Sequence, residues 1–166
     1  MNKVLDVDIR PIDYPADRLV LESFLTDHDI QWLGQSYPAV CAGDAFILVA
    51  CDGRTPIGWA AVHVKLCSDQ SWDPDGGTMS FQRGDNAYLE NLAISDLLRS
   101  QGIGRSLLRA AEDETKQRGK SQLWLHTSES NIRAHQFYER LGYVHERTVC
   151  PIWNQGRPMR VYCKML

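Results

Sequence analysis

A glycine-rich turn between a strand-like run and a helix-like run constrains the fold of this chain more than any other feature. Residues 88–94 are mostly apolar, as in a buried strand, and the turn that follows contains Gly102 and Gly104 between Arg99 and Arg105. Beyond the turn, apolar residues recur at helical spacing. A strand that leads through glycines into an amphipathic helix predicts an α/β arrangement with the start of the helix exposed at the turn.

The start of that helix is suited to an anion, because the first backbone N–H groups of a helix have no helical partner and carry a partial positive charge. Two common phosphate motifs are absent, however. The segment lacks GxxxxGK[ST], and a GxGxxG fingerprint is excluded because Leu107 stands at its third glycine position. A turn without a ligand, flanked by solvated arginines, therefore stays open as the simpler interpretation.

Apolar periodicity predicts the rest of the architecture. The strand-like runs are residues 4–10, 45–51, 57–67, 88–94, 121–126, 143–150 and 159–165, and the helix-like runs are 11–29, 30–37 ending at Pro38, 103–119 and 131–141. Asp52-Gly53 marks a hairpin turn, and residues 68–86 are predicted to form a long loop. This order predicts an α/β (α+β) fold whose mixed sheet has helices on both faces. Because no internal repeat or linker is present, residues 1–166 are predicted to form a single domain.

Composition favours an ordinary folded domain. The chain has 166 residues, 43% of them hydrophobic, and no apolar run near the ~18 residues of a membrane span. The N-terminal segment lacks the continuous apolar stretch of a signal peptide, so we expect a cytoplasmic protein with no membrane partner. The five cysteines are odd in number and have no CxxC spacing, which favours reduced thiols over a disulfide framework. No histidine spacing typical of a metal site occurs, so no metal is expected.

Charge is divided unevenly along the chain. Residues 1–90 carry 6 Lys and Arg against 14 Asp and Glu, a balance of −8, whereas residues 91–166 carry 12 against 7, a balance of +5. An acidic half would attract a cation and a basic half an anion, although an incidental scatter of surface charge gives the same numbers. The basic residues are not accompanied by an aromatic platform, so we expect no nucleic-acid partner.

Two motifs in the second half of the chain carry a family resemblance. They are Leu92-Ala93-Ile94 followed by Arg99-x-x-Gly102-x-Gly104, and Asn131-x-x-Ala134-x-x-Phe137-Tyr138-x-x-Leu141-Gly142-Tyr143. In this order and about thirty residues apart, they resemble the acetyl-CoA signature and the downstream helix signature of the GCN5-related N-acetyltransferase (GNAT) superfamily. The resemblance implies a mostly antiparallel sheet of about seven strands. It also implies an enzyme that moves the acetyl group of acetyl-CoA directly to a primary amine.

The resemblance also assigns a site for the acetyl donor. The residues implied to bind acetyl-CoA are Leu92, Ala93, Ile94, Arg99, Gln101, Gly102, Ile103, Gly104, Arg105, Ser106 and Asn131. In the family the fourth strand splays from the fifth and pairs through its backbone with the pantetheine arm, a role that falls here to Leu92 and Ile94. The pyrophosphate is expected against the N–H groups of residues 101–106, beside Arg99. Asn131 is expected either to reach the pantetheine arm or to cap its helix.

Transfer to an amine requires a base, because an amine with a pKa near ~10 is protonated at neutral pH. Glu90 is the predicted base, since it shares strand parity with Leu92 and Ile94 and is therefore expected beside the cofactor. The segment around Glu90 also resembles polyamine-acetylating members of the family, and an ion pair with a nearby arginine is the alternative role for this residue. Tyr138 matches the family's usual acid, which protonates the departing CoA thiolate, although packing beside Phe137 also explains a tyrosine there.

The acceptor is predicted from the acidic half of the chain. The residues expected to line its site are Tyr88, Asp85, Trp72, Phe81, His126 and Trp153. Further acids at Asp69, Asp73 and Asp75 favour a small cationic amine, such as a polyamine, an aminoglycoside, a streptothricin-like antibiotic or an amino-acid derivative. A solvated loop with incidental acids is the simpler interpretation. Protein N-termini and lysines are alternative acceptors. A non-catalytic acyl-CoA-binding module and a kinase are alternative functions. Whether the protein forms a homodimer is left open.

Overall fold

A seven-stranded sheet organises the domain. The computed structural model describes residues 6–14, 16–23, 25–65, 84–151 and 154–166. Its strands are β1 (Val7–Pro11), β2 (Ala45–Asp52), β3 (Thr55–His63), β4 (Asn86–Ile94), β5 (Gln122–Ser128), β6 (Val144–Val149) and β7 (Met159–Met165), and its helices are α1 (Ala16–Leu21), α2 (Asp27–Cys41), α3 (Ile103–Gln117) and α4 (Ile132–Arg140). The strand order is β1-β2-β3-β4-β5-β7-β6, and neighbours are antiparallel except β4 with β5. The predicted mixed, mostly antiparallel sheet with helices on both faces is confirmed.

Two apolar cores lie on opposite faces of the sheet. On one face the fully buried Leu107 of α3 packs against the strands, and the partly buried Phe137 of α4 joins the same cluster. On the other face Leu21 of α1, Leu33 of α2 and Trp59 of β3 form a second cluster with no exposed surface. Burial of one such leucine is worth roughly 2–3 kcal/mol, so each pair of helices is firmly fixed to its side of the sheet. We call these sides the α3/α4 face and the α1/α2 face.

The helices before β2 differ most from the sequence-based prediction. The helix-like run 11–29 contains the short α1 and the beginning of α2, which starts at Asp27, and α2 continues through Pro38 instead of ending there. A proline removes one helical hydrogen bond and costs roughly 3 kcal/mol in a helix interior. The helix nevertheless continues, since the Ala42 N–H donates to the Pro38 carbonyl at 3.0 Å and both Leu33 and Val40 pack in the core. Tertiary packing therefore outweighs the local helix-breaking signal.

The parallel strands β4 and β5 separate along their length. They pair only over residues 86–88 and 122–124, although β4 continues to Ile94 and β5 to Ser128. Beyond the paired residues, the facing backbone edges of the two strands no longer satisfy each other. An opening therefore forms between the strands, at the end of β4 that leads into α3.

A bulge interrupts β4 just beyond the paired region. The adjacent β3 residues 61–62 are opposite Asn91 and Leu89, so Glu90 is an extra residue in β4. Because successive strand side chains alternate between faces, one inserted residue reverses the face of every side chain that follows. Leu89 and Leu92 accordingly both pack on the α3/α4 face, three positions apart instead of two.

Candidate active site

The start of α3 has the properties of an anion site. Gly102, at the N-cap position, has a φ of 83°, in the left-handed region that favours glycine. Within the described part of the chain no side chain caps this helix end, and its first turn contains no acidic residue. The Ser106 N–H donates to the Gly102 carbonyl at 3.1 Å, which leaves the N–H groups of residues 103–105 without a helical partner. These donors and the positive end of the helix dipole suit a phosphate.

Close packing joins this helix end to β4 and α4. A Cβ on Gly104 would lie 3.7 Å from Ile94 Cγ1 and 3.7 Å from Phe137 Cζ. Arg133 of α4 provides a second link, since its Nη2 donates to Ser100 Oγ at 3.0 Å. The two motifs that the sequence separates by about thirty residues therefore meet at one end of the opening.

Positive charge surrounds the same helix end. Arg105, in the first turn of α3, is exposed. Arg99 forms an ion pair with Asp96, but 51% of its side chain is exposed. An exposed ion pair of this kind is worth only about 0–1 kcal/mol, so a phosphate can readily replace Asp96 as the partner of Arg99.

Glu90 lies on the α1/α2 face, where two side chains hold it. Its Oε2 accepts a hydrogen bond from Ser36 Oγ of α2 at 2.5 Å and lies 2.6 Å from His63 Nε2 of β3. The predicted parity of Glu90 with Leu92 and Ile94 is wrong, because the bulge turns those two side chains to the α3/α4 face. The alternative of an arginine partner is also wrong, since the described residue that pairs with Glu90 is His63.

Tyr88 and His126 form a second polar pair, between β4 and β5. The Tyr88 hydroxyl is hydrogen-bonded to His126 Nδ1, and the two rings stack with centroids 5.6 Å apart. Burial lowers the pKa of His126 to about 4, so its ring is neutral at pH 7. Burial, and then the nearby charge of Glu90, raise the pKa of Tyr88 well above its ordinary value. Tyr88 therefore stays protonated and donates to neutral His126, and the structure brings these two predicted acceptor residues together near Glu90.

Tyr138 of α4 has a hydroxyl group with an unusual environment. Its ring packs edge-on against Phe137 and Tyr143, with centroid distances of 5.2 and 5.5 Å. The Tyr143 hydroxyl donates to Glu112 at 3.0 Å, whereas the Tyr138 hydroxyl has no hydrogen-bond partner among the residues that the structure describes. Burial raises the pKa of Tyr138 above its ordinary value. The result is a protonated O–H group that is available as a donor.

Asn131 occupies the N-cap of α4. Its Oδ1 accepts a hydrogen bond from the Ala134 N–H at 3.1 Å, so the capping role considered from the sequence is present. Capping uses only the oxygen of the side-chain amide. The exposed Asn131 therefore retains its Nδ2 group as a donor toward a ligand.

Of the other predicted acceptor residues, only Asp85 belongs to the described part of the chain, and it is not brought to this place. Asp85 precedes the paired end of β4, where its carboxylate accepts a hydrogen bond from Ser121 at 3.3 Å, about 15 Å along the strand from Glu90. Outside the described residues lie Trp72, Phe81, Trp153, Asp69, Asp73 and Asp75, with most of the predicted loop 68–86. Among the described residues, no cluster of three or more His, Cys, Asp or Glu side chains is suited to a metal. In the same part of the chain, no helix has the length and apolar character that crossing a bilayer requires.

Sequence reasoning did not identify Ser36 and His63 as site residues. They are 54 and 27 residues from Glu90 in the chain, and no local motif marks either of them. The one available signal is that His63 is a polar residue at the end of an otherwise apolar strand. That signal does not specify a partner, which only the pairing of β3 with β4 provides.

Comparison with known proteins identifies the family. The family model described as the acetyltransferase (GNAT) family matches residues 11–143. The chain belongs to this family. The resemblance inferred from the two motifs is thereby confirmed, and the GNAT match contains both of them.

GNAT relatives of this chain are named for different acceptors. The chain is 42% identical over 59 residues to the [ribosomal protein bS18]-alanine N-acetyltransferase of Escherichia coli K12, a match that covers 36% of this chain and 40% of that protein. It is 36% identical over 99 residues to the streptothricin acetyltransferase of Streptomyces lavendulae, which covers 60% of this chain and 43% of that protein. The chain thus spans about two fifths of the length of these relatives.

A solved GNAT structure shares the whole fold. The GNAT acetyltransferase from Elizabethkingia anophelis with acetyl-CoA bound has a TM-score of 0.68 and 16% sequence identity. The superposition covers 97% of this chain and 99% of that one. At this level of identity the likeness establishes the fold and does not extend to the acceptor.

Proposed function

We propose that this GNAT protein transfers the acetyl group of acetyl-CoA directly to the primary amine of a small cationic molecule. The main support is that the opening between β4 and β5 has an anion site toward one face and an anchored carboxylate on the other. The uncapped start of α3 packs toward the α3/α4 face, whereas Ser36 and His63 hold Glu90 on the α1/α2 face. A donor and an acceptor that approach from opposite faces would meet in the opening.

The residues around the start of α3 fit acetyl-CoA. The N–H groups of residues 103–105, with Arg99 and Arg105, would hold the pyrophosphate. The open backbone edge of β4 over residues 92–94 would pair with the pantetheine amides, and Asn131 Nδ2 would donate to them from α4. When bound, acetyl-CoA supplies an activated thioester, so the task of the protein is alignment and proton transfer.

Glu90 and Tyr138 supply the proton transfers in this proposal. Glu90 accepts one proton from the ammonium group, because an alkylamine with a pKa near ~10 must lose a proton before its lone pair can attack the thioester carbonyl. As the C–N bond forms and the C–S bond breaks, Tyr138 gives its proton to the departing sulfur. The second nitrogen proton restores the Tyr138 hydroxyl through solvent. The products are an amide, CoA and one released proton.

The acceptor class follows from charge and from the relatives. A buried carboxylate at the acceptor face favours a cationic amine, and the match to the streptothricin acetyltransferase covers 60% of the chain. A protein N-terminal amine is the second candidate, because the alanine N-acetyltransferase of the bS18 protein is 42% identical over its matched region. The two acceptors differ in that a protein N-terminus is followed by a peptide chain that the acceptor face would have to accommodate.

The test offers acetyl-CoA with a panel of polyamines, aminoglycosides, streptothricin-type amines and alanine-starting peptides while CoA thiol release is followed. We expect turnover on a small cationic amine, and a loss of about 100-fold in kcat for Tyr138→Phe with CoA binding retained. Tyr143→Phe is the matched control, since it removes a buried hydroxyl that donates to Glu112 and should leave kcat unchanged. CoA binding without turnover on any amine, with Tyr138→Phe indistinguishable from the parent, would refute the proposal.

A further inference from the structure

Glu90 is held through only one of its two carboxylate oxygens. Ser36 Oγ and His63 Nε2 both contact Oε2, at 2.5 and 2.6 Å. No hydrogen bond from a described residue reaches Oε1. The carboxylate is thus anchored through Oε2, and Oε1 is its remaining acceptor oxygen.

The two anchoring side chains come from separate elements that pack on the α1/α2 face. Ser36 belongs to α2 and is 2% exposed, and His63 belongs to β3 and is 5% exposed. The Glu90 side chain between them is 8% exposed. Two buried donors that converge on one oxygen fix both the position and the plane of the carboxylate, and such charge-assisted hydrogen bonds are strong.

The bulge in β4 makes this arrangement possible. Without the extra residue in β4, the side chains of residues 90 and 92 would share the α1/α2 face, and Leu92 would not turn to the α3/α4 face. With the bulge, the carboxylate points to the face opposite the start of α3. The acceptor nitrogen and the anionic donor are thereby kept on opposite sides of the sheet.

We propose that Ser36 and His63 are positioning residues, which hold Glu90 through Oε2 so that Oε1 receives the proton of an alkylammonium acceptor. This inference rests on the proposed acetyltransferase function. The proton moves from the acceptor nitrogen to Oε1, and the freed lone pair forms the C–N bond as the C–S bond breaks. An acceptor whose nitrogen is already unprotonated at pH 7 gains little from this arrangement, so the positioning residues favour strongly basic amines.

The test compares two acceptors of the same shape and different basicity, such as an alkylamine and its fluorinated analogue that is unprotonated at pH 7. Ser36→Ala and His63→Leu remove the donors, whereas Ser36→Thr and His63→Gln retain one. We expect each removal to lower kcat for the alkylamine about tenfold and for the fluorinated amine less than about twofold. The conservative variants should recover most of the loss. Thr115→Ala, which removes a buried hydroxyl from α3, should keep the parent kinetics.

Several outcomes separate failure of this inference from failure of the proposed function. If the parent protein turns over neither amine with acetyl-CoA, the proposed function fails. If Glu90→Gln selectively impairs the alkylamine while Ser36→Ala and His63→Leu behave as the parent, the function stands and the positioning role is overturned. Equal losses on both amines also overturn it, because a structural defect does not depend on amine basicity. CoA affinity and thermal unfolding of every variant show which variants are folded. If His63→Leu is not folded, the kinetics of Ser36→Thr and His63→Gln decide whether Ser36 and His63 position Glu90.

Discussion

Replacement of Gly58 by alanine tests how closely β3 packs against residues 92–94 of β4, whose backbone is proposed to pair with pantetheine and is called the donor edge below. Gly58 is opposite Ile94 in the antiparallel pairing of β3 with β4. A Cβ at this position would lie 2.4 Å from Ile94 Cδ1 and 2.9 Å from the Ala93 carbonyl oxygen. The isoleucine methyl can rotate away, but the carbonyl belongs to the backbone of β4. To restore an ordinary contact of 3.4 Å, Ala93 must move by about 0.5 Å.

The expected effect of Gly58→Ala is a loss of both stability and CoA affinity. Overpacking of a well-packed sheet costs about 1–3 kcal/mol in the free energy of unfolding, which lowers Tm by about 2–4 °C per kcal/mol for a domain of this size. Displacement of residues 93–94 also moves the backbone edge proposed to pair with pantetheine, so Kd for CoA should rise severalfold. Urea unfolding and calorimetric titration with CoA measure the two effects.

Gly34→Ala is the matched control for this substitution. Gly34 is exposed within α2, and a Cβ there would meet nothing within 4 Å. Alanine in an exposed helix interior is about 0.5–1 kcal/mol more stable than glycine, so the control should raise the free energy of unfolding and leave CoA binding unchanged. If Gly58→Ala behaves like this control, the close approach of β3 to the donor edge is refuted.

Two further predictions concern stability and pH. Hydrogen bonds from Arg10 lower the pKa of Asp17, so this carboxylate stabilises the fold at neutral pH and the contribution disappears as pH falls below about 4. Asp17→Asn should therefore lower the free energy of unfolding at pH 7 by about 2–3 kcal/mol and converge with the parent in acid, whereas the exposed Asp8→Asn should change little. Burial lowers the pKa of His126 to about 4, so acidification favours the unfolded state, which binds the proton more readily. Between about pH 6.5 and 4 the free energy of unfolding of the parent should fall by about 1–3 kcal/mol more than that of His126→Gln. An equal pH dependence of urea unfolding in the two proteins would contradict the burial of His126.

The elements that carry the family motifs could be predicted from the sequence because their signals are local. Gly102 and the apolar stripe beyond it identify α3, and the spacing of Ala134, Phe137 and Leu141 identifies α4. Helical periodicity and glycine termination depend on neighbours within a few residues. The predicted site for the acetyl donor rests on the same short segments, and its residues stay a prediction.

The position of Glu90 could not be predicted because long-range geometry determines it. Between Leu89 and Leu92 the sequence has two adjacent polar residues, and nothing in this pattern shows that Glu90 is an additional residue. The bulge depends on the register of β4 against β3, which involves hydrogen bonds between segments about thirty residues apart. The contacts of Ser36 and His63 with Glu90 depend in turn on the same register. Strand parity alone therefore assigned the predicted base to the wrong face.

The uneven charge of the chain is reflected only in part in the helices on the two faces of the sheet. Residues 1–90, with a balance of −8, supply both helices of the α1/α2 face and end at Glu90, whereas residues 91–166, with +5, supply α3 and α4. The helices themselves differ less: α1 and α2 carry one Arg against three Asp, a balance of −2, and α3 and α4 carry five Lys and Arg against four Asp and Glu, a balance of +1. A difference of this sign would favour the proposed anionic donor on the α3/α4 face and the proposed cationic amine on the α1/α2 face. Glu90 lies where the chain passes from one set of helices to the other, and the bulge there leaves its carboxylate on the α1/α2 face while Leu92 and Ile94 turn to the α3/α4 face.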